Sequence, residues 1–187
     1  MTRITKKFPK SLLSSLVLLF VVSLAGSALA AAKTHVIINK PGQGPRPMML
    51  DLHGGFSHFG TGLSVGARFS IPIVENGFVP MINNSVSITF GGDFYWVKLD
   101  RDKYAAAVGF PVTLQWRFLF TDKLSAFGEM GANIFLHPDL IAGDGWFWYP
   151  GSWVIAAIGG RFKINESISL VGRLGNPYSS FGASFTF

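Results

Sequence analysis

The chain ends in the stretch Ser180-Phe181-Gly182-Ala183-Ser184-Phe185-Thr186-Phe187. Phenylalanine or alanine takes every second position, and serine, glycine or threonine takes the positions between. A period of two residues is typical of a β-strand with one apolar and one polar face. Exposed to water, such a strand would be an edge open to aggregation. The pattern therefore predicts that the apolar face meets lipid and that the strand closes a barrel.

The first 30 residues have the pattern of an export signal. Four basic residues and no acidic residue precede an apolar run over 12–25, and Ala28 and Ala30 supply an A-x-A cleavage motif. The run is shorter than the roughly 20 residues of a membrane-spanning helix. We therefore expect residues 1–30 to be a cleaved Sec signal peptide.

Composition narrows the possible chemistry. The chain contains no cysteine, which excludes a lipoprotein anchor, disulfides and thiolate metal sites. The formal net charge of +6 falls to about +2 once the four basic residues of 1–30 are removed. Nucleic-acid binding therefore has no support, and no cofactor is expected.

Segment 31–47 is rich in proline and glycine, which predicts an irregular periplasmic leader.

Alternation recurs along the rest of the chain. The segments that carry it are 48–57, 61–73, 85–97, 104–120, 123–136, 152–164, 166–174 and 180–187. Most approach or exceed the roughly 9–11 residues that cross a bilayer at a tilt. The sequence therefore predicts an all-β domain over 48–187, an eight-stranded antiparallel up-and-down transmembrane β-barrel. An even number of strands places both termini at the same end of the barrel. The connection 72–84 would lie at that end, and it is longer than is usual for connections there.

A water-soluble, lipocalin-like barrel would alternate in the same way. Its polar face would be dense in lysine, glutamate and aspartate. Here the polar positions are mostly serine, threonine, glycine and asparagine, with few charges. The composition of this face therefore favours a membrane barrel.

Charged side chains on the polar faces are expected to form an ionic network inside the barrel. They are Asp51, Arg68, Asp93, Arg117, Glu129, Arg161, Lys163 and Arg173. Eight strands leave an interior that side chains just fill, so these charges must be paired. We expect Arg117 to be the first partner of Asp93 and Glu129, because its strand lies between theirs. A shut, filled cylinder is favoured over a narrow, anion-preferring conduit.

An aromatic cluster lies in and beside the longest connection, 137–151. It consists of Trp146, Trp148, Tyr149 and Trp153. Tryptophan and tyrosine gather where a membrane meets water, so the cluster predicts an interfacial aromatic girdle.

On strand number, alternation, the girdle and the last strand, region 48–187 resembles the small eight-stranded outer-membrane barrels. This superfamily includes the OmpA transmembrane domain, OmpX-type proteins and opacity-type surface proteins. The resemblance implies the outer membrane of a Gram-negative bacterium, contact with its lipid, and handling by the barrel assembly machinery. It also implies that Phe181, Phe185 and Phe187 form the assembly signal, and that the peptidoglycan-binding domain of full OmpA proteins is missing. The expected role is structural, at the surface, or as a narrow channel.

Two other hypotheses stay open. An outer-membrane deacylase or acyltransferase would need a serine, a histidine and an acid at the outer rim. The nearest candidates are Ser57, His58, His137 and Asp139. Neither enzyme motif is intact, so no catalytic residue is expected. Asp51 and His53 lack a third ligand, so no metal site is expected either.

Small outward residues suggest assembly with other membrane proteins, of unknown stoichiometry, through Ala67, Ala126, Gly128, Ala132, Ala156 and Gly160.

Overall fold

Eight antiparallel strands form a closed barrel in the computed structural model. They are β1 (Met49–Ser57), β2 (Gly62–Val74), β3 (Asn84–Asp100), β4 (Lys103–Leu119), β5 (Leu124–Leu136), β6 (Val154–Lys163), β7 (Ile168–Asn176) and β8 (Tyr178–Thr186). The structure describes residues 35–57, 62–100, 103–136 and 154–187. No helix within these ranges is long and apolar enough to cross a membrane.

Each strand pairs with the next, and β1 pairs with β8 to close the sheet. Met49 at the start of β1 lies opposite Thr186 at the end of β8. We call this the terminal end of the barrel and the opposite one the loop end. The predicted fold, an all-β, eight-stranded antiparallel up-and-down barrel, is confirmed.

The barrel is polar inside and apolar outside. On β3, the Tyr95 side chain is fully buried, whereas Phe94 and Trp96 are 43% and 49% exposed. The same alternation holds on β1, where Asp51 is buried and Leu52 is exposed. Because successive side chains of a strand point to opposite faces, alternation alone separates the two environments.

Hydrogen-bonding side chains shape two short turns at the terminal end. The Asn165 Oδ1 atom accepts the N–H groups of Ser167 and Ile168 at 2.9 and 2.8 Å. Thr121 Oγ1 accepts those of Lys123 and Leu124 at 3.2 and 2.8 Å. These local bonds compete with strand pairing.

The bounds of the last two strands differ from the prediction. The seventh strand starts at Ile168 and not at residue 166, because Asn165 holds the turn. The predicted connection 175–179 shrinks to Pro177 between β7 and β8. The glycine and proline of this segment indicated a loop, but strand pairing with β6 carries β7 on to Asn176.

The leader is ordered against the terminal end from His35 onwards. Ile37 N–H donates to the Phe120 carbonyl at 3.0 Å, and Ile37 is buried. Asn83, just before β3, donates from Nδ2 to the carbonyls of Ile37 at 3.1 Å and Gln43 at 2.8 Å. Arg46 donates to Asn83 Oδ1, and its partial burial lowers its pKa. Asn83 therefore fastens the leader to the barrel.

The long connection 75–83 folds onto the outer face of the barrel at the same end. The rings of Phe78 and Trp116 meet edge to face, with centroids 5.8 Å apart. Trp116 Nε1 donates to Asn84 Oδ1 at 2.8 Å, and Asn84 Nδ2 donates to the Val79 carbonyl at 2.8 Å. Phe78 is 71% exposed and Met81 82% exposed, so the connection presents apolar side chains outward.

Candidate functional site: the charged interior of the barrel

Glu129 on β5 binds three side chains from three other strands. Arg68 Nη1 donates to Oε2 at 2.8 Å, and Gln115 Nε2 donates to Oε1 at 2.6 Å. Arg173 Nε also donates to Oε1, at 3.1 Å. All four side chains are buried. Such charge-assisted bonds are among the stronger hydrogen bonds in proteins.

Asp51 on β1 forms the second centre. Arg161 Nη2 donates to both of its carboxylate oxygens, at 3.2 and 2.9 Å. Arg173 Nη2 also donates to Asp51 Oδ2. Arg173 therefore connects the Asp51 and Glu129 centres.

Asp93 on β3 forms the third centre, with aromatic partners. Its Oδ1 atom lies 3.1 Å from His53 Nε2, and Tyr95 Oη donates to Oδ2 at 3.2 Å. Arg68 Nη2 lies 3.6 Å from Oδ2 and donates to Tyr178 Oη at 2.7 Å. The Tyr178 ring stacks on His53 with centroids 5.3 Å apart.

Gly66 on β2 leaves room for this third centre. A Cβ at this position would collide with Asp93 Oδ1 and would come within 3.0 Å of His53 Nε2. The glycine therefore allows the Asp93 and His53 side chains to meet beside the backbone.

The expected pairing of Arg117 with Glu129 or Asp93 is wrong. The register of β4 on β5 sets Gln115 opposite Glu129 and Arg117 opposite Phe127, nearer the terminal end. Arg117 Nη1 instead lies 3.7 Å from Met49 Sδ. Its Nε and Nη2 atoms are buried with no hydrogen-bond partner.

The other residues of the predicted ionic network differ in burial. Asp51, Arg68, Asp93, Glu129, Arg161 and Arg173 are buried and linked by ion pairs. Lys163, the last residue of β6, is half-exposed and forms no ion pair within the part of the chain that the structure describes.

Gln115, Tyr95 and Tyr178 belong to the network but not to the predicted set of charged residues. Gln115 and Tyr95 occupy inward-facing positions of the predicted strands, and they carry no formal charge. Tyr178 lies in the predicted connection 175–179. Inward polarity of any kind, and not charge alone, was the usable signal.

The remaining predicted residues belong to the aromatic girdle, the enzyme hypothesis and the assembly signal. Trp146, Trp148, Tyr149 and Trp153 of the girdle lie outside the described residues, as do His58, His137 and Asp139. Ser57 is buried at the end of β1. Of the three phenylalanines of the expected assembly signal, Phe181 and Phe187 are exposed and Phe185 is half-buried.

The carboxylates of the network are held by donors inside the barrel. Asp51 and Glu129 each accept from at least two donors, and Asp93 accepts from Tyr95 and lies beside His53 and Arg68, so all three charges are stabilised. A general base needs a free acceptor within reach of substrate. Among the described residues, no cluster of three histidine, aspartate or glutamate side chains could hold a metal ion.

No protein-family model matches the chain, and no curated protein matches it significantly.

Proposed function

We propose that this protein is an integral outer-membrane barrel with a structural or surface role, non-enzymatic and shut to solutes. One observation carries the proposal: the barrel exposes its apolar side chains and buries its charged ones. A water-soluble protein has the opposite arrangement.

The outward face has the composition of a lipid-facing surface. Met130, Ile158 and Leu63 are 72%, 68% and 58% exposed, and they lie on three different strands. Large exposed apolar patches mark contact with a membrane or a protein, and here the apolar residues surround the barrel. A bilayer covers such a belt on all sides.

The connection 75–83 extends this belt at the terminal end. Phe78 and Met81 project outward there, beside Trp116 and its neighbour Phe118, whose rings are 4.8 Å apart. Aromatic side chains gather where a bilayer meets water. By this proposal, the terminal end faces the periplasm. The aromatic cluster then lies at the periplasmic surface of the outer membrane.

A shut barrel is favoured over a narrow conduit because the interior is filled with side chains. Arg68, Tyr95 and Gln115, from three strands, are buried to 1% exposure or less. The ordered leader, with Ile37 buried, lies at the terminal end. The resemblance of the sequence pattern to the small eight-stranded outer-membrane barrels supports this role.

Refolding into phospholipid vesicles tests the proposal. We expect the protein without residues 1–30 to refold only when lipid or detergent is present, and to resist added protease over its strands. Ile158→Lys places a charge in the apolar belt and should reduce insertion, whereas Glu166→Lys in the exposed turn should not. A protein that folds and stays monomeric in plain buffer, without binding vesicles, would overturn the proposal.

A further inference from the structure

The charges buried inside the barrel do not balance. Within the described residues, four arginines and three carboxylates are buried. With His53 counted as neutral, one positive charge is in excess. Buried charges are stable when they are paired, so a negative charge is expected near the unpaired arginine.

The unpaired arginine is Arg117, and a second guanidinium with free donors lies near it. Arg117 and Arg161 are 5% and 4% exposed. Nε and Nη2 of Arg117, and Nε and Nη1 of Arg161, are buried without a hydrogen-bond partner. A buried donor without a partner loses the hydrogen bonds that water would give it.

Arg117 and Arg161 lie on the two strands that flank β5, beside one aromatic residue. Phe127 on β5 lies directly opposite Arg117 on β4, and its ring centroid is 5.4 Å from Arg161 Cζ. Arg161 on β6 lies opposite Ser125, two residues from Phe127 on β5, so β5 separates the two arginines by one strand. An anion that lies between the two positive charges is attracted by both of them.

The other groups around the pair add donors. Ser85 lies opposite Arg117, and its buried hydroxyl has no partner. Arg46 of the leader, which donates to Asn83 Oδ1, adds a third positive charge at the terminal end. Asp51, the carboxylate that binds Arg161, is already shared with Arg173.

The position is closed off from water at the terminal end. Leu119 follows Arg117 by two residues on the same face of β4 and is buried, as is Ile37 of the leader. A Cβ at Gly44 would lie 3.7 Å from Ile37 Cδ1 and 3.9 Å from Leu119 Cδ2, so the leader packs against this strand end. Exclusion of water strengthens the attraction between charges.

We propose that the barrel interior holds one small monovalent anion of halide size, bound between Arg117 and Arg161. A single negative charge neutralises the excess, and the guanidinium N–H groups with the Ser85 hydroxyl supply its hydrogen bonds. The anion would serve as a structural ion that completes the ionic network.

Bromide provides a direct probe, because its position is visible by anomalous X-ray scattering. We expect crystals of the detergent-refolded protein grown in sodium bromide to show an anomalous peak within hydrogen-bond distance of both guanidinium groups. Absence of a peak there would overturn the proposal. The measurement is made in detergent, so its result is independent of whether the protein spans a membrane.

Matched variants test the site in solution. In the wild type, bromide should raise the midpoint of thermal unfolding above that in the same concentration of sodium gluconate, whose anion is too large. Arg117→Met should abolish the difference and the anomalous peak, whereas Lys40→Met, at an exposed position of the leader, should keep both. Equal bromide effects in the two variants would contradict the proposal. If Arg117→Met does not fold, the wild-type peak still decides.

Discussion

Arg68 on β2 and Glu129 on β5 form an ion pair across the barrel, with 2.8 Å between Arg68 Nη1 and Glu129 Oε2. The two strands are not neighbours in the sheet, so this bond braces opposite parts of the wall. Arg173 from β7 binds the same carboxylate. Three separated strands are thus held at one point by a single glutamate.

Glu129→Gln should destabilise the barrel strongly. It removes the charge that Arg68 and Arg173 share, and breaking a buried ion pair on one side costs about 3–5 kcal/mol. Denaturant unfolding in detergent micelles measures this. Glu166→Gln, at an exposed turn position, is the control and should change the unfolding free energy by less than about 0.5 kcal/mol. Similar values for the two variants would mean that the network contributes little to stability.

Neighbouring glycines on β6 allow a second test. A Cβ at Gly159 would collide with the Phe127 ring, whereas a Cβ at Gly160 would approach only the Ser125 carbonyl, at 3.9 Å. Overpacking typically costs about 1–3 kcal/mol, so Gly159→Ala should destabilise and Gly160→Ala should not. Denaturant midpoints compare the two. A Cβ at Gly159 would also lie 2.5 Å from the Gly172 carbonyl oxygen, so the loss does not depend on the Phe127 ring alone. Equal midpoints for the two variants would contradict the packing described.

Asn83→Ala should release the leader. The substitution removes the donor to the Ile37 and Gln43 carbonyls and the acceptor for Arg46. A buried polar group that loses its partner costs about 1–3 kcal/mol. Limited proteolysis with mass spectrometry should show faster cleavage within 35–47. Asn39→Ala, at an exposed leader position, should leave the cleavage rate unchanged; equal rates in the two variants would show that Asn83 does not hold the leader.

Planar-bilayer recordings should show no discrete openings. By the proposed function, fully buried side chains such as Arg68, Tyr95 and Gln115 fill an interior of this width. Folding is confirmed beforehand by heat-modifiable gel mobility. Anion-selective openings that change with Arg117→Ala would instead make the interior arginines part of a conduit.

The alternation of apolar and polar residues made the number of strands, the order of the strands and the two faces of the barrel predictable. A period of two residues assigns each side chain to one face. The partners of Arg117 were not predictable in this way. They depend on the β4–β5 register, which sets Gln115 opposite Glu129. Gln115 and Arg117 are two residues apart and share the inward face, so a period of two cannot tell which of them lies opposite Glu129.

The leader and the last hairpin show a second limit of the sequence pattern. Attachment of the leader depends on Asn83, a single polar residue in a connection that the sequence marked only as long. The start of β7 depends on the Asn165 side chain bonding to Ser167 and Ile168. Such bonds are local, but whether they prevail over strand pairing is decided by the assembled sheet.

Spin labels at single cysteines test the central claim, a membrane-spanning barrel, most directly, because the chain has no cysteine of its own. Labels would be placed at Ile158, outward on β6, and at Glu166, in the exposed turn, in protein refolded into vesicles. We predict that dissolved oxygen, which partitions into lipid, relaxes the label at 158 more than a water-soluble nickel complex does, with the reverse order at 166. A label at 158 that is readily reached by the nickel complex would contradict the account.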